Sequence, residues 1–293
     1  MGRKRLKYTN KHHLSQEIYD AIVARQNQYS SGDVDYSVTE ILNPPRIVHL
    51  TKRHYDELEM DVIDVMDAWE GHLLHDALER TETTNRLVYK EENYPSLSGA
   101  YDYFFDGLLK DYKRTSVWSF VFGSVQEKWE QQLNIYAWLL QREGKKVQTC
   151  GIEVFLKDWN KNEALRNKDY PQVPQFFLRM PLWSFEGQEN FVQTRLFIMR
   201  LAGEFSDESL DYCIEKEMWA RPNVYAVKKV KAKRAMKLFE DKQEAEDWIQ
   251  KMGYDLIVYI EERPGERVRC AKYCQVAPFC NQWKEYKNDM DFE

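Results

Sequence analysis

The segment from Leu97 to Thr115, LSGAYDYFFDGLLKDYKRT, constrains this chain more than any other. Asp106-Gly107 sits between two apolar-rich runs and is a strong signal for a two-residue hairpin. A reversal there pairs Phe105 with Leu108, Phe104 with Leu109 and Tyr103 with Lys110, and sets Asp102 opposite Asp111. Strand side chains alternate between faces, so Lys113 shares a face with Asp111. Two carboxylates then stand side by side, with an ammonium one step along. The other face carries Tyr101, Tyr103, Phe105, Leu108 and Tyr112, a set that suits a core.

Like charges directly across a hairpin destabilise it unless something offsets them. A divalent cation does so, and hard oxygen ligands suit Mg²⁺ or Mn²⁺. Such an ion would polarise a phosphodiester and lower the pKa of a bound water. Lys113 would orient that water or neutralise charge developing on the phosphate. The bland alternative is that Asp102 and Asp111 are ordinary polar residues on a solvated strand face.

Two helical pairs flank the hairpin. His75 and Glu79 in GHLLHDALE stand one turn apart, as do Gln132 and Tyr136 in QEKWEQQLNIYAWLLQR. A neutral imidazole at His75 would complete a metal shell; the Gln132 amide and Tyr136 hydroxyl would hold a phosphate or steady Lys113. Taken alone, each pair also reads as ordinary core and surface. Together the order G-x₃-H-x₃-E, G-x-x-D, D-x-K, Q-x₃-Y resembles the RecB-type and Cas4-like branch of the PD-(D/E)XK nuclease superfamily. It is carried here by Gly71/His75/Glu79, Gly99/Asp102, Asp111/Lys113 and Gln132/Tyr136. The resemblance implies a restriction-endonuclease-like α/β core, a mixed central sheet flanked by helices. It implies His75, Asp102, Asp111 and the Tyr112 carbonyl as ligands of Mg²⁺ or Mn²⁺. Lys113 becomes the catalytic lysine, and Gln132 and Tyr136 auxiliary contacts. The implied activity is a metal-dependent deoxyribonuclease, in particular an exonuclease on DNA ends or single strands, with a protein partner in recombination or CRISPR adaptation.

The rest of the chain sets the frame. With 293 residues, 43% hydrophobic and 31% charged, it is long and apolar enough to bury a full core. No stretch suffices to cross a bilayer and the N-terminus lacks an apolar signal region, so a cytoplasmic protein without membrane contact is expected. Residues 1–36 read as a basic arm, opening MGRKRLKYTNKHH. SVTEILNPP reads as a capped helical turn stopped by Pro44 and Pro45, followed by a long helix from Thr51 to Arg80 with a break near Gly71. Strand character runs from Val88 to Lys113. Gln126 to Arg142 is a helix whose Trp129, Leu133, Tyr136 and Leu140 form a buried stripe. Further strands at IEVFLKDW and QFFLRMPLW, and a helix from Phe185 to Glu204, complete a core over residues 37–212.

Residues 213–293 read as a cysteine-cluster region with a small basic α/β insert at about 222–262. The net charge of −6 gives no general argument for nucleic acid, but Lys228, Lys229, Lys231, Lys233 and Arg234 form a strip that would track DNA phosphates. CAKYCQVAPFC places Cys270, Cys274 and Cys280 close enough for a soft-ligand metal site. The same resemblance implies a [4Fe–4S] cluster with Cys213 as fourth ligand. Structural zinc on these four cysteines remains an alternative, and Cys150 reads as core. Two rivals stand beside the nuclease: a DNA-end-binding or scaffold protein that no longer cuts, and a zinc-dependent nucleic-acid-binding protein.

Overall fold

The computed structural model describes residues 6–28, 32–78, 85–123, 125–253 and 258–291. The chain is mixed α/β and divides into two compact units, Met1–Leu210 and Asp211–Glu293. Among the described residues no helix is long and apolar enough to cross a membrane.

The described part of the expected basic arm is folded. β1 (Lys7–Thr9) pairs in parallel with β3 (Glu59–Asp61). The helix α1 (Gln16–Gln28) packs Tyr19, Ile22 and Val23 against Val62 and Val65. Those three residues recur at helical spacing, so α1 carries an apolar stripe that burial stabilises. Asp61 fastens the arrangement, accepting hydrogen bonds from Thr9 Oγ1 at 2.8 Å and from the Lys11 backbone N–H at 2.7 Å.

After β2 (Tyr36–Ser37), Ser37 and Glu40 cap the short helix α2 (Val38–Ile41) reciprocally. Pro45 then opens a new helix, α3 (Pro45–Arg53), since a first-turn residue needs no N–H. The expected long helix is two pieces. β3 and a single 3₁₀ turn separate α3 from α4 (Met66–Leu78), and Gly71 lies inside α4 rather than at the break. Pairing of β3 with β1, a tertiary contact, overrides the local helical pattern.

The strands β4 (Asn85–Tyr89), β5 (Leu97–Tyr101), β6 (Tyr103–Phe105) and β7 (Leu108–Thr115) follow. Next come α5 (Val117–Val121), α6 (Gln126–Arg142), β8 (Thr149–Leu156), α7 (Lys161–Arg166), β9 (Gln175–Met180) and α8 (Phe185–Gly203). They build two sheets, ordered β2-β5-β4 and β6-β7-β8-β9. β7 and β8 pair in parallel, with α6 in the crossover between them. From Gln132 through Leu140 every residue of α6 is buried, as befits a helix enclosed by its own domain.

The hairpin has the expected register, Tyr103 with Lys110, Phe104 with Leu109 and Phe105 with Leu108. Asp106 and Gly107 both take positive φ, 45° and 76°, as a primed turn requires. Two features differ from expectation. The chain bends at Asp102, between β5 and β6, so Asp102 stands outside the ladder instead of across from Asp111. The faces are also reversed in burial: Tyr103 and Phe105 are exposed, whereas Leu109 and Asp111 lie in the core. The acidic face is therefore the one turned inward. Tyr101 alone of the expected apolar set is deeply buried, because it belongs to β5 and not to the edge strand β6.

The second unit holds α9 (Glu215–Met218), β10 (Val224–Lys229), β11 (Lys237–Phe239), α10 (Lys242–Met252), β12 (Val258–Arg263), α11 (Val268–Lys272) and α12 (Asn281–Asp291). Its antiparallel sheet runs β11-β10-β12, with Ala226 and Val227 buried, as is Ala245 of α10. This is the expected strand–helix–strand insert with one added strand.

Candidate active site

Asp111 sits at a core-facing position of an interior strand, two residues on from fully buried Leu109, and is itself only 2% exposed. A carboxylate there loses its hydration, which disfavours its charged form. Burial drives its pKa up to about 6; Lys113 opposes the rise and Asp102 adds to it. Lys113 Nζ lies 2.6 Å from Asp111 Oδ2, an ion pair rather than an aligned hydrogen bond. Gln132 Nε2 approaches Asp111 Oδ1 at 3.4 Å and donates to the Tyr136 hydroxyl at 3.0 Å. Gln132 thus reaches the carboxylate itself, where the sequence had suggested a phosphate or Lys113 as its partner.

The bend at Asp102 has a purpose visible in its hydrogen bonds. Asp102 Oδ2 accepts from the Tyr112 backbone N–H at 2.6 Å, while Oδ1 lies 3.0 Å from His75 Nδ1. The other ring nitrogen of His75 meets the Tyr112 carbonyl oxygen at 3.1 Å. Burial alone would lower the His75 pKa, but the hydrogen bond and charge of Asp102, with Asp111 behind it, raise it overall. Glu79, the partner of His75 in sequence, lies outside the described residues.

One cavity of about 410 Å³ is lined by His75, Asp102, Asp111, Lys113, Gln132 and Tyr136 together. The structure brings to a single pocket residues drawn from α4, the β5–β6 bend, β7 and α6. Gly99 explains its own identity there. A Cβ at Gly99 would stand 2.5 Å from Val38 Cγ2 and 2.6 Å from Tyr136 Cε1, so only glycine lets β5 pass beneath α2 and α6. Gly71 has no such constraint, since a Cβ there meets nothing within 4 Å. Sequence reasoning missed Arg25, His72, Arg86 and Ser98, which line the same cavity. His72 falls one turn before His75 and was within reach of a helical-face argument. Arg25 was not, because its place depends on how α1 packs.

The donors suit a hard divalent cation: two carboxylates, a backbone carbonyl and an imidazole. Neighbouring ligands of an octahedral ion held at about 2.1 Å stand about 3.0 Å apart. Asp102 Oδ1 stands 3.0 Å from His75 Nδ1 and the Tyr112 carbonyl 3.1 Å from Nε2, so only one of these two separations can be a ligand–ligand edge of an ion held by His75. As the side chains stand they pair with one another, and among the described residues no group of three or more His, Cys, Asp or Glu is arranged to hold a metal ion.

In the second unit the four cysteines lie within electrostatic reach of one another. Burial pushes the Cys213 thiol up to about 12, with Glu217, Cys280, Cys270 and Cys274 adding to the rise. Burial, followed by Cys274 and Cys280, pushes Cys270 up to about 11. Gln282 of α12 clamps the Cys213 backbone from both sides, accepting from its N–H at 2.9 Å and donating to its carbonyl at 2.8 Å. Cys150 is fully buried in β8, as core. The basic strip is narrower than its sequence suggests. Lys228 is ion-paired to Glu261 of β12 at 2.6 Å, an acid that the local charge pattern could not reveal. Lys229, Lys231, Lys233 and Arg234 remain exposed.

No family model matches the chain, and no curated protein matches it. Among solved structures, a chain described as "Crystal structure of SSO0001" aligns at 14% identity over 62% of this chain and 84% of that one, with a TM-score of 0.41.

Proposed function

We propose that the first unit is a Mg²⁺- or Mn²⁺-dependent deoxyribonuclease with a PD-(D/E)XK-type centre, an exonuclease acting on DNA ends or single strands. The observation that carries this reading is convergence. Six residues picked from four separate segments by one motif order line one cavity, with a buried Asp111 ion-paired to Lys113 at its floor. A solvated strand face would not bury a carboxylate beneath the central helix.

His75, Asp102, Asp111 and the Tyr112 carbonyl would hold the ion, which polarises the scissile phosphodiester and supplies an activated water when bound. Gln132 fixes the orientation of the Asp111 carboxylate through Oδ1, and Tyr136 buttresses Gln132. Asp102 ties the bend to β7 through the Tyr112 N–H, which keeps the two acids in the same cavity. Lys113, which pairs with Asp111 as the chain stands, would stabilise negative charge developing on the phosphate. Burial of Asp111 and Gln132 strengthens the interactions they make.

Cys213, Cys270, Cys274 and Cys280 would hold a [4Fe–4S] cluster that stabilises the second unit, with structural zinc as the alternative. Three thiols on the short segment Cys270–Cys280, with Cys213 within electrostatic reach and its backbone held by Gln282, support this reading, although as the described side chains stand they form no preformed metal cage. Hydrolysis needs no electron transfer, so this group is structural. Partners in recombination, repair or CRISPR-adaptation-like processing follow from the resemblance alone.

A second reading has its own observation. The acids are already compensated by Lys113 and His75, a state in which a DNA-end-binding scaffold could persist without cutting. Asp111→Ala separates the two. The enzyme loses cleavage and keeps DNA binding, whereas the wild-type scaffold has no cleavage to lose under any divalent ion.

A further inference from the structure

The cavity extends beyond the proposed metal ligands to a group of donors that the hydrolytic reading does not use. Arg25 enters it from α1, His72 from α4, Arg86 from β4 and Ser98 from β5. Arg86 Nη1 donates to Ser98 Oγ at 3.1 Å. Arg25 Nη2 is braced by Asp76 at 2.8 Å, one helical turn beyond His72. Two polar atoms of this group, Arg25 Nε and His72 Nδ1, are buried and find no hydrogen-bond partner among the described residues. Buried nitrogens are ordinarily satisfied, and two exceptions on residues that line one pocket mark donors whose partner the described residues do not supply.

Charge identifies the ligand. Arg25, Arg86 and Lys113 balance Asp76, Asp102 and Asp111 around the cavity. A divalent cation held by the acids leaves the pocket positive by two, which matches two phosphodiester groups rather than one. We propose that Arg25, with His72, Arg86 and Ser98, forms a second anion subsite that grips a phosphate next to the one being cut. The chemical class is a single nucleic-acid strand held by two successive phosphates. The proposal rests on the hydrolytic reading for the first phosphate and adds the second. It also gives the N-terminal helix a role in substrate binding, since α1 is the only source of Arg25.

The test uses the full-length chain in a Lys113→Ala background, with Mn²⁺ and a labelled single-stranded oligonucleotide, titrated across a salt series. Arg25→Gln is expected to weaken binding about 5- to 10-fold and to reduce the slope of log K against log salt by about 0.7, the contribution of one phosphate contact on a single strand. Arg25→Lys should keep most of that slope. Asp76→Asn breaks the same ion pair yet leaves the guanidinium in place, so affinity should hold or rise. Equal losses in Arg25→Gln and Asp76→Asn would mean that the pair is merely structural and would overturn the subsite, as would an unchanged affinity and slope in Arg25→Gln. Cleavage by the otherwise wild-type chain is measured alongside. If it cuts DNA while Arg25→Gln binds normally, the subsite fails and hydrolysis stands. If it fails to cut with every divalent ion tried while Arg25→Gln still loses affinity and slope, hydrolysis fails and the phosphate subsite stands.

Discussion

Replacing Asp111 by Asn should stabilise the metal-free protein while disabling it. Asp111 is buried, and its pKa rises from 3.8 to about 6. The folded state thus binds the proton more tightly than the unfolded state does. The stability this confers is complete below about pH 4 and is lost as pH rises through about 6. At pH 7.5 the ionised carboxylate therefore costs the fold up to about 3 kcal/mol, from roughly two pKa units at about 1.4 kcal/mol each. An amide of the same shape does not incur that cost, and allowing for altered contacts to Lys113 and Gln132 the net gain is about 1–3 kcal/mol. For a unit of this size that raises Tm by about 2–12 °C. Calorimetry in chelator at pH 7.5 should show Asp111→Asn melting above wild type, with the difference shrinking towards pH 4.5. Saturating Mn²⁺ should reverse the order, because a ligand at about a thousand times its Kd adds about 4.1 kcal/mol to wild type and nothing to the variant. A variant less stable than wild type in chelator, or a difference independent of pH, would refute the view of Asp111 as a strained buried carboxylate awaiting a cation.

Other expectations follow from the same geometry. Gly99→Ala forces a Cβ into Val38 and Tyr136 and should cost about 1–3 kcal/mol, visible as a lower Tm together with slower cleavage; an unchanged Tm would contradict the close passage of β5. Cys270→Ser should lose the metal proposed for the second unit, read by iron and zinc analysis of anaerobically purified protein, and lower the stability of that unit; full metal content would remove Cys270 from the ligand set. Changing Lys229, Lys231, Lys233 and Arg234 to Gln should flatten the salt dependence of DNA binding by up to about 3 in slope, near 0.7 per phosphate contact. Lys228→Gln should do little, since Glu261 already holds that charge.

The hairpin was legible because its information is local. An Asp-Gly pair demands a primed turn, and a two-residue loop leaves one register. The bounds of α6 were legible for the same reason, since a long run at helical spacing admits few alternatives. The bend at Asp102 was not, because it depends on the Tyr112 N–H and His75 meeting one carboxylate, and His75 arrives from 27 residues upstream. The burial of the acidic face was misread since Tyr103 and Phe105 are apolar by composition, yet lie on the edge strand β6 and stay exposed. The break between α3 and α4 and the place of Arg25 both rest on the N-terminal segment docking through Asp61 and Ile22. Periodicity carries the stripe of α1 but says nothing of where that stripe lands.

The most direct test is a cleavage assay on end-labelled linear and circular DNA, run with Mg²⁺, Mn²⁺ or chelator, comparing wild type with Lys113→Ala. The expected result is metal-dependent degradation of the linear substrate by wild type, abolished by chelator and slowed about 100-fold or more in the variant, as for loss of one charge-stabilising donor. Cleavage that persists in chelator, or that proceeds equally fast without Lys113, would contradict a metal-assisted phosphodiester hydrolysis centred on Asp111 and Lys113.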